Sequence, residues 1–435
     1  MKIKRILSNS KVIVSLFFIL MILVGVIYGV IYVNTIAKKT NELEPISQRN
    51  LTTSFLRDET YDEFVDKYNT FSSKISADLL KENNVISPIS IFSNLALLNY
   101  ISNSNTRTEI STALGMSVEE LNKNYQYFHN KHNFGRIVTD PTRTITSETN
   151  DNSIWIKNGL NVNTTTTQNL ANNYFCDSYY IDFNSSNANN TIRNYVKKKT
   201  NDLIDIDFNI SKDTLLALIS TNYLEDVWGI TELTKREDLV FTNSDLKKSN
   251  ISFNVSNYYP GKVVSDGSLN YFYTKTYSGY KVTFIVPNQS NNVREYMTAD
   301  NIYKINKTVY NALQDNKYYY TRCMFPSFSL ESDLINLKYI LKNKFGINDV
   351  FDSSKCDVSN LLNQSAYVSE IKHKAKLEVN EKGIKGASVT LSIVEGAAMP
   401  EYEEVYENFI IDKTFGIIIS NNTNEMIFTG VVDNL

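Results

Sequence analysis

Close to its C-terminal end the chain carries a segment that limits its fold more than any other. From Ser388 to Ile393 the sequence alternates strictly, with Ser, Thr and Ser on one face and Val, Leu and Ile on the other. A period of two is the pattern of a β-strand. The residues that follow, Glu395-Gly396-Ala397-Ala398-Met399-Pro400-Glu401, are small, acidic or turn-forming and read as an exposed loop. A strand-competent segment that runs straight into an open loop has no obvious neighbour to pair with. It needs a second place to go.

The rest of the chain can supply one. At 435 residues it could hold two or three average domains or a single large one. A hydrophobic fraction of 42% and an aromatic fraction of 12% suffice for a real core. The net charge of -3 carries no nucleic-acid footprint, so no nucleic-acid partner is expected. Cys176, Cys323 and Cys356 are odd in number, far apart and without a C-x-x-C. They argue against a disulfide framework and read as small buried hydrophobes.

Residues 12–33 form an uninterrupted apolar run, long enough to cross a hydrocarbon core of about 30 Å. Lys2, Lys4, Arg5 and Lys11 precede it, and Lys38 and Lys39 follow. The heavier basic load orients the N-terminus toward the cytoplasm. The chain then divides into a cytoplasmic segment 1–11, a single-pass signal-anchor helix 12–33, a polar stalk 34–58 and an extracellular domain 59–435. The alternative is a cleaved signal peptide and a secreted product. Its apolar region would be ~7–15 residues and end in an A-x-A-like site, whereas Val33-Asn34-Thr35-Ile36-Ala37 is a poor cleavage site. The uncleaved anchor is favoured.

Phe64, Tyr68, Phe71, Ile75 and Leu79 recur at spacings of one buried helix face. Ser87-Pro88 reads as an N-cap with proline at the first helical position. Thr106-Arg107-Thr108-Glu109 fits a capping box before Ile110. Ile154-Trp155-Ile156, the run 215–219 and the run 280–287 read as strands, and Ile192, Tyr195 and Val196 as a helix. The segments 415–419 and 426–428 suggest a hairpin around Asn421-Asn422. Helices come early and strands later, which makes the class α+β.

Enzyme chemistry finds little support. G-x-S-x-G, G-x-G-x-x-G, Walker A and H-E-x-x-H are all absent. Ser244-Asp245-Leu246-Lys247 meets only the loose S-x-x-K pattern. His129 and His132 lie in a polar, Asn-rich stretch and read as part of a solvated loop rather than a metal site. No catalytic residue, metal or cofactor is expected.

Glu381-Lys382-Gly383 resembles the hinge of the serpins, and other motifs agree. Asn84-Val85-Ile86-Ser87-Pro88-Ile89-Ser90-Ile91, Phe325-Pro326-Ser327-Phe328, Phe345-Gly346-Ile347, Val368-Ser369-Glu370-Ile371-Lys372-His373-Lys374-Ala375 and Phe428-Thr429-Gly430-Val431-Val432 are similar to serpin signatures in order and spacing. The resemblance runs from residue 59 to the end. It implies a serpin-like fold with a large mixed β-sheet, further sheets, an N-terminal helical region and an exposed reactive loop at 383–408. By the same resemblance, residues Glu381, Lys382, Gly383, Ile384, Lys385, Gly386, Ala387 and Ser388 form the hinge. The scissile bond joins Ala397 to Ala398. His373 joins Ser87 and Ser90 in a buried hydrogen-bond cluster beneath the sheet. The family's asparagine position falls on Ser220, so Asn222, two residues on, or a water is expected to complete the cluster. Trp228 matches the tryptophan at the top of the sheet.

The implied function is inhibition of a serine-type endopeptidase by a monomer acting as suicide substrate: the loop is cut and inserts as a strand. The partner is a serine protease, with a cysteine protease as a lesser option. No Lys or Arg occurs between Lys385 and Lys413, which disfavours a trypsin-like target; alanine suits elastase-like or subtilisin-like enzymes. Two departures bear on this. Ile384 stands where the family has Thr or Ser, and Lys385 where it has Glu. The family's register also turns Gly386, Ser388, Thr390 and Ser392 inward and the apolar Val389, Leu391 and Ile393 outward. Slow insertion would leave a non-inhibitory binding or structural protein on the cell surface, which is the rival reading.

Overall fold

A computed structural model describes residues 43–50, 56–82, 84–132, 135–140, 143–229, 233–312, 318–384 and 404–435. Residues 46–435 form one compact unit. The chain opens with α1 (Tyr61–Leu79), β1 (Val85–Ile86), α2 (Pro88–Ile101), α3 (Ser104–Leu114) and α4 (Val118–Lys131). There follow β2 (Gly135–Asp140), β3 (Arg143–Lys157), α5 (Thr164–Asn173), β4 (Cys176–Ile181), α6 (Ala188–Lys199) and β5 (Leu216–Val227). The middle is strand-rich: β6 (Thr234–Thr242), β7 (Lys248–Pro260), β8 (Lys262–Ser265), β9 (Leu269–Lys275) and β10 (Lys281–Pro287). Next are α7 (Ala299–Ala312), β11 (Tyr318–Pro326), β12 (Phe328–Glu331), β13 (Ile335–Asn336) and α8 (Lys338–Phe345). The last elements are β14 (Lys372–His373), β15 (Lys376–Val379), β16 (Gly383–Ile384), β17 (Glu404–Ile410), β18 (Phe415–Ser420) and β19 (Met426–Val432).

The largest sheet has the order β12-β15-β16-β5-β3-β2, with β4 parallel to the second half of β3. A six-stranded antiparallel sheet, β1-β19-β18-β10-β9-β8, lies in the core. Every residue of β10, β18 and β19 is buried. A third sheet, β17-β11-β7-β6, includes the parallel pair β11–β17. One apolar cluster joins α1, α2 and the two larger sheets; a second, around Trp155, Tyr179, Ile192 and Tyr195, fills the space between α6 and the large sheet. The expected α+β class and sheet-rich C-terminal half are both present.

Local expectations fare unevenly. α1 buries the five residues that predicted it, and α2 starts at Pro88 behind an extended Ser87. The capping box at Thr106 does not form, because α3 already begins at Ser104. Thr106 Oγ1 accepts the Asp357 N–H at 3.0 Å, and Glu109 accepts the Asn348 and Asp349 N–H groups at 2.7 and 2.8 Å. Tertiary partners claim both side chains. The reciprocal box lies instead at Ser117 and Glu120, at the start of α4.

His129 and His132 are also not in a solvated loop. Both are fully buried at the end of α4. Leu121, Tyr125, Phe128 and His132 repeat at spacings of four, three and four, a helix face hidden among asparagines. His129 stacks on Phe175 with centroids 4.1 Å apart, and burial pushes its pKa down to about 3. His132 Nδ1 lies 2.7 Å from Glu148 of β3. Burial opposes its charge, but that carboxylate outweighs burial and raises its pKa.

Within the span expected as a stalk, residues 46–50 lie on the domain. Ile46 N donates to Ser178 O at 2.7 Å, Ser47 bonds Thr167 at 2.8 Å, and Arg49 pairs with Asp177 at 3.0 Å. Residues 12–33 lie outside the described residues, among which no helix is long and apolar enough to cross a membrane.

Candidate functional site

The expected strand at 215–219 is the start of β5, which lies inside the large sheet and has two unlike edges. Toward β3 it is paired without a break from Leu216 to Asp226. Toward β15 the described ladder consists of Val227 with Gly383 and Asp226 with Ile384. On its far side β16 pairs Ile384 with Val379 of β15. Below this wedge the sheet parts. Residues 216–222 face residues 368–376 across a cleft holding ≈ 1120 Å³ of empty space, its open mouth included. That far wall is held from behind, by β12 on β15 and β13 on β14. The cleft is a slot between two strands.

The top of the slot is closed by a tight turn. Asn380 Oδ1 accepts the N–H groups of Lys382 and Gly383 at 2.9 and 3.3 Å, and Asn380 N donates to Gly383 O at 3.0 Å. This side chain mimics a backbone turn and reverses the chain from β15 into β16 through Glu381 and Lys382. Trp228 clamps the turn: its Nε1 donates to Asn380 O at 2.7 Å and its backbone N–H to Lys382 O at 3.1 Å. Gly383 is required here, since a Cβ would meet Asp226 O at 2.1 Å. Ile384 then enters the core with no exposed surface. This position, which the resemblance makes the first to insert and expects to carry a hydroxyl, holds an apolar side chain that the core accommodates.

At mid-height the cluster expected around His373 is only partly assembled. Its Nε2 accepts the Ser87 backbone N–H at 3.2 Å, and the Ser87 and Ser90 hydroxyls lie 3.1 Å apart. Burial pushes the imidazole down to about 4, so it is neutral near pH 7. Asn222 does not complete the cluster. Its Nδ2 reaches Thr149 O at 3.4 Å, while its Oδ1 and the Ser220 Oγ have no partner among the described residues. Both residues line the slot.

The expected hinge residues Lys385, Gly386, Ala387 and Ser388 and the expected scissile bond Ala397-Ala398 lie outside the described residues. The sequence reading missed Asn380; an Asn two and three residues before the hinge amides was the available signal. Ser244 donates to Asp433 at 2.8 Å and Lys247 pairs with Asp245 at 3.7 Å, so the S-x-x-K pattern assembles no nucleophile and base. Among the described residues, no group of His, Cys, Asp or Glu could hold a metal, and the three cysteines are free.

Known proteins share this architecture. A profile described as Serpin (serine protease inhibitor) matches residues 67–435. Glia-derived nexin of Rattus norvegicus is 25% identical over 81% of this chain and 87% of its own length. Serpin A9 of Homo sapiens is 27% identical over 81% and 84%. Among solved structures, the thermophilic serpin tengpin in its native state superposes with a TM-score of 0.72 at 25% identity, over 91% of this chain and 100% of that one. Arabidopsis AtSerpin1 in its native stressed conformation gives 0.72 at 20% identity, over 86% and 98%. The profile describes inhibitors of proteases, not enzymes. With the slotted sheet, the tryptophan-clamped turn and a family match across most of its length, this chain belongs to the serpins.

Proposed function

We propose that the protein inhibits serine endopeptidases as a suicide substrate, with the slot as the destination of its own loop. The observation that carries this reading is the wedge β16. The first residues of an inserting strand, Gly383 and Ile384, already pair with both walls of a sheet that stands open beneath them. The turn that leads into this wedge is already formed, so in this reading the new strand grows residue by residue from an existing nucleus.

In this account a target protease attacks the carbonyl carbon between Ala397 and Ala398. Its serine forms an ester to Ala397, and the amine of Ala398 leaves with a proton. The freed segment then fills the slot, adding a strand by main-chain hydrogen bonds. At about 0.5–1.5 kcal/mol net per bond, residues 385–394 supply on the order of 10 kcal/mol. The bound protease is carried with the loop and distorted before its ester is hydrolysed. Small residues at the cut favour elastase-like or subtilisin-like enzymes. The apolar run 12–33 gives a single-pass membrane tether that holds the domain outside the cell.

Incubation with pancreatic elastase or a subtilisin tests the reading. The expected product is a complex that survives SDS, with a released fragment starting at Ala398 by mass. Clean turnover into two fragments without a complex would favour the rival, a non-inhibitory member of the family. Ile384 and Lys385 are the residues that would then deserve blame.

A further inference from the structure

Another polar assembly joins β3 of the large sheet to the β18–β19 turn of the core sheet. Glu148 of β3 and Glu425 of that turn are both fully buried. One Glu148 oxygen lies 2.7 Å from His132 Nδ1, and the other accepts the Tyr280 hydroxyl. Glu425 accepts the Tyr61 hydroxyl at 2.6 Å and the Thr423 hydroxyl. His132, at the end of α4, stands between these groups. Its Nε2 lies 3.5 Å from the side-chain nitrogen of Asn421. Asn421 cannot turn its amide over, because its Oδ1 accepts the backbone N–H groups of Thr423 and Glu425, both at 3.0 Å. It therefore presents an N–H to the ring. The two sides of His132 make opposite demands: Glu148 needs a donor at Nδ1, and Asn421 needs an acceptor at Nε2. A neutral ring protonated on Nδ1 meets both. A second proton sets Nε2–H against the Asn421 N–H. We propose that His132 is a proton-operated link between the large sheet and the β18–β19 turn: neutral, it ties Glu148 to Asn421; protonated, it keeps Glu148 and releases Asn421.

The charges around the ring decide where the link works. Burial opposes the second proton, but the Glu148 carboxylate outweighs it, Glu425 adds to the pull, and Lys131 of α4 opposes it; the pKa is raised above its ordinary 6.5. His129, on the same helix, is held at about 3 by burial and stays neutral. The Tyr61 and Tyr280 phenols are pushed up by burial and keep their protons. Lys281 of β10 also changes charge near neutrality: burial lowers it to about 7, and it donates to Asn424 Oδ1 at 3.1 Å. Two signs follow for His132. Its contribution to global stability is present at low pH and lost as pH rises through the folded value. The turn runs the other way and is held tightest once the proton has left. Neither the slot nor the loop takes part, so the link operates whether or not the protein inhibits a protease.

The chain has three histidines, so isotope-labelled histidine in the full chain, held in detergent, resolves each ring by NMR. His129 and His373 are held low by burial, and His132 alone should titrate above 6.5. Its Nδ1 should stay protonated throughout while Nε2 gains the proton. Across that titration, hydrogen-exchange protection at the Thr423 and Glu425 amides should fall about fivefold toward acid. Asn421→Asp keeps an acceptor for both amides and offers Nε2–H a carboxylate. It should raise the proton affinity of His132 about tenfold or more and abolish the fall in protection. Lys281→Met removes the other group that titrates in this range and should leave the fall in place. The link is overturned by a His132 that does not titrate above 6.5, by protection that ignores its titration, or by a fall that vanishes in Lys281→Met. A folded Asn421→Asp with unchanged His132 affinity overturns it too; should that variant not fold, the parent and Lys281→Met decide.

Discussion

The two edges of β5 belong to one strand yet live in different energetic states. Facing β3, each main-chain group finds its partner, from Leu216 to Asp226. Facing the slot, pairing stops at the level of Ile384, and Ser220 and Asn222 leave polar atoms unsatisfied. A folded sheet normally leaves few such groups. The lesson is that one edge of the strand is laddered along its length while the other meets a cleft, and in the proposed inhibitory reading the wedge at its top is where further pairing begins.

The comparison can be broken most severely at Gly383. In Gly383→Val a side chain would collide with the Asp226 carbonyl and expel β16. The lost burial of Ile384 together with the clash should cost about 4 kcal/mol. A fall in the urea midpoint, with new proteolysis at the hinge, would register it. An unchanged midpoint would mean that the wedge contributes nothing.

Acid should act on the slot side next. His373 is held at about 4 by burial, below its ordinary 6.5. The unfolded chain therefore binds more protons between pH 6.5 and 4, and stability falls as pH drops through that window, by up to about 3 kcal/mol. His129, at about 3, acts in the same direction. His132, raised by Glu148, has the opposite sign: its contribution is present at low pH and lost as pH rises through its folded value. His373→Gln should flatten the acid limb of a stability-against-pH curve. A limb as steep as the parent's would put the proton elsewhere.

The smallest effect is expected at the clamp. Trp228→Phe removes the donor to Asn380 O while keeping an aromatic ring, for about 1 kcal/mol. Faster hydrogen exchange at Lys382 and Gly383 would confirm that the turn loosens.

Much of this was legible in the sequence because the patterns were local. The five residues of α1 share one helix face, and Pro88 marks the first turn of α2. What was hidden depended on distant partners. Glu109 looked like a cap but serves the backbone at Asn348 and Asp349. His132, at the end of a helix, looked solvated because its carboxylate, Glu148, arrives from the strand β3. Asn222 turns to Thr149 rather than to His373, a choice of partner that no spacing encodes.

A structure of the loop-cleaved protein addresses the central claim most directly. The account predicts a new strand running from Lys385 between β5 and β15. Thermal unfolding should then move up by on the order of 10 °C or more. A cleaved molecule whose slot stays empty, with β5 paired below Asp226 on its β3 edge alone, would contradict it.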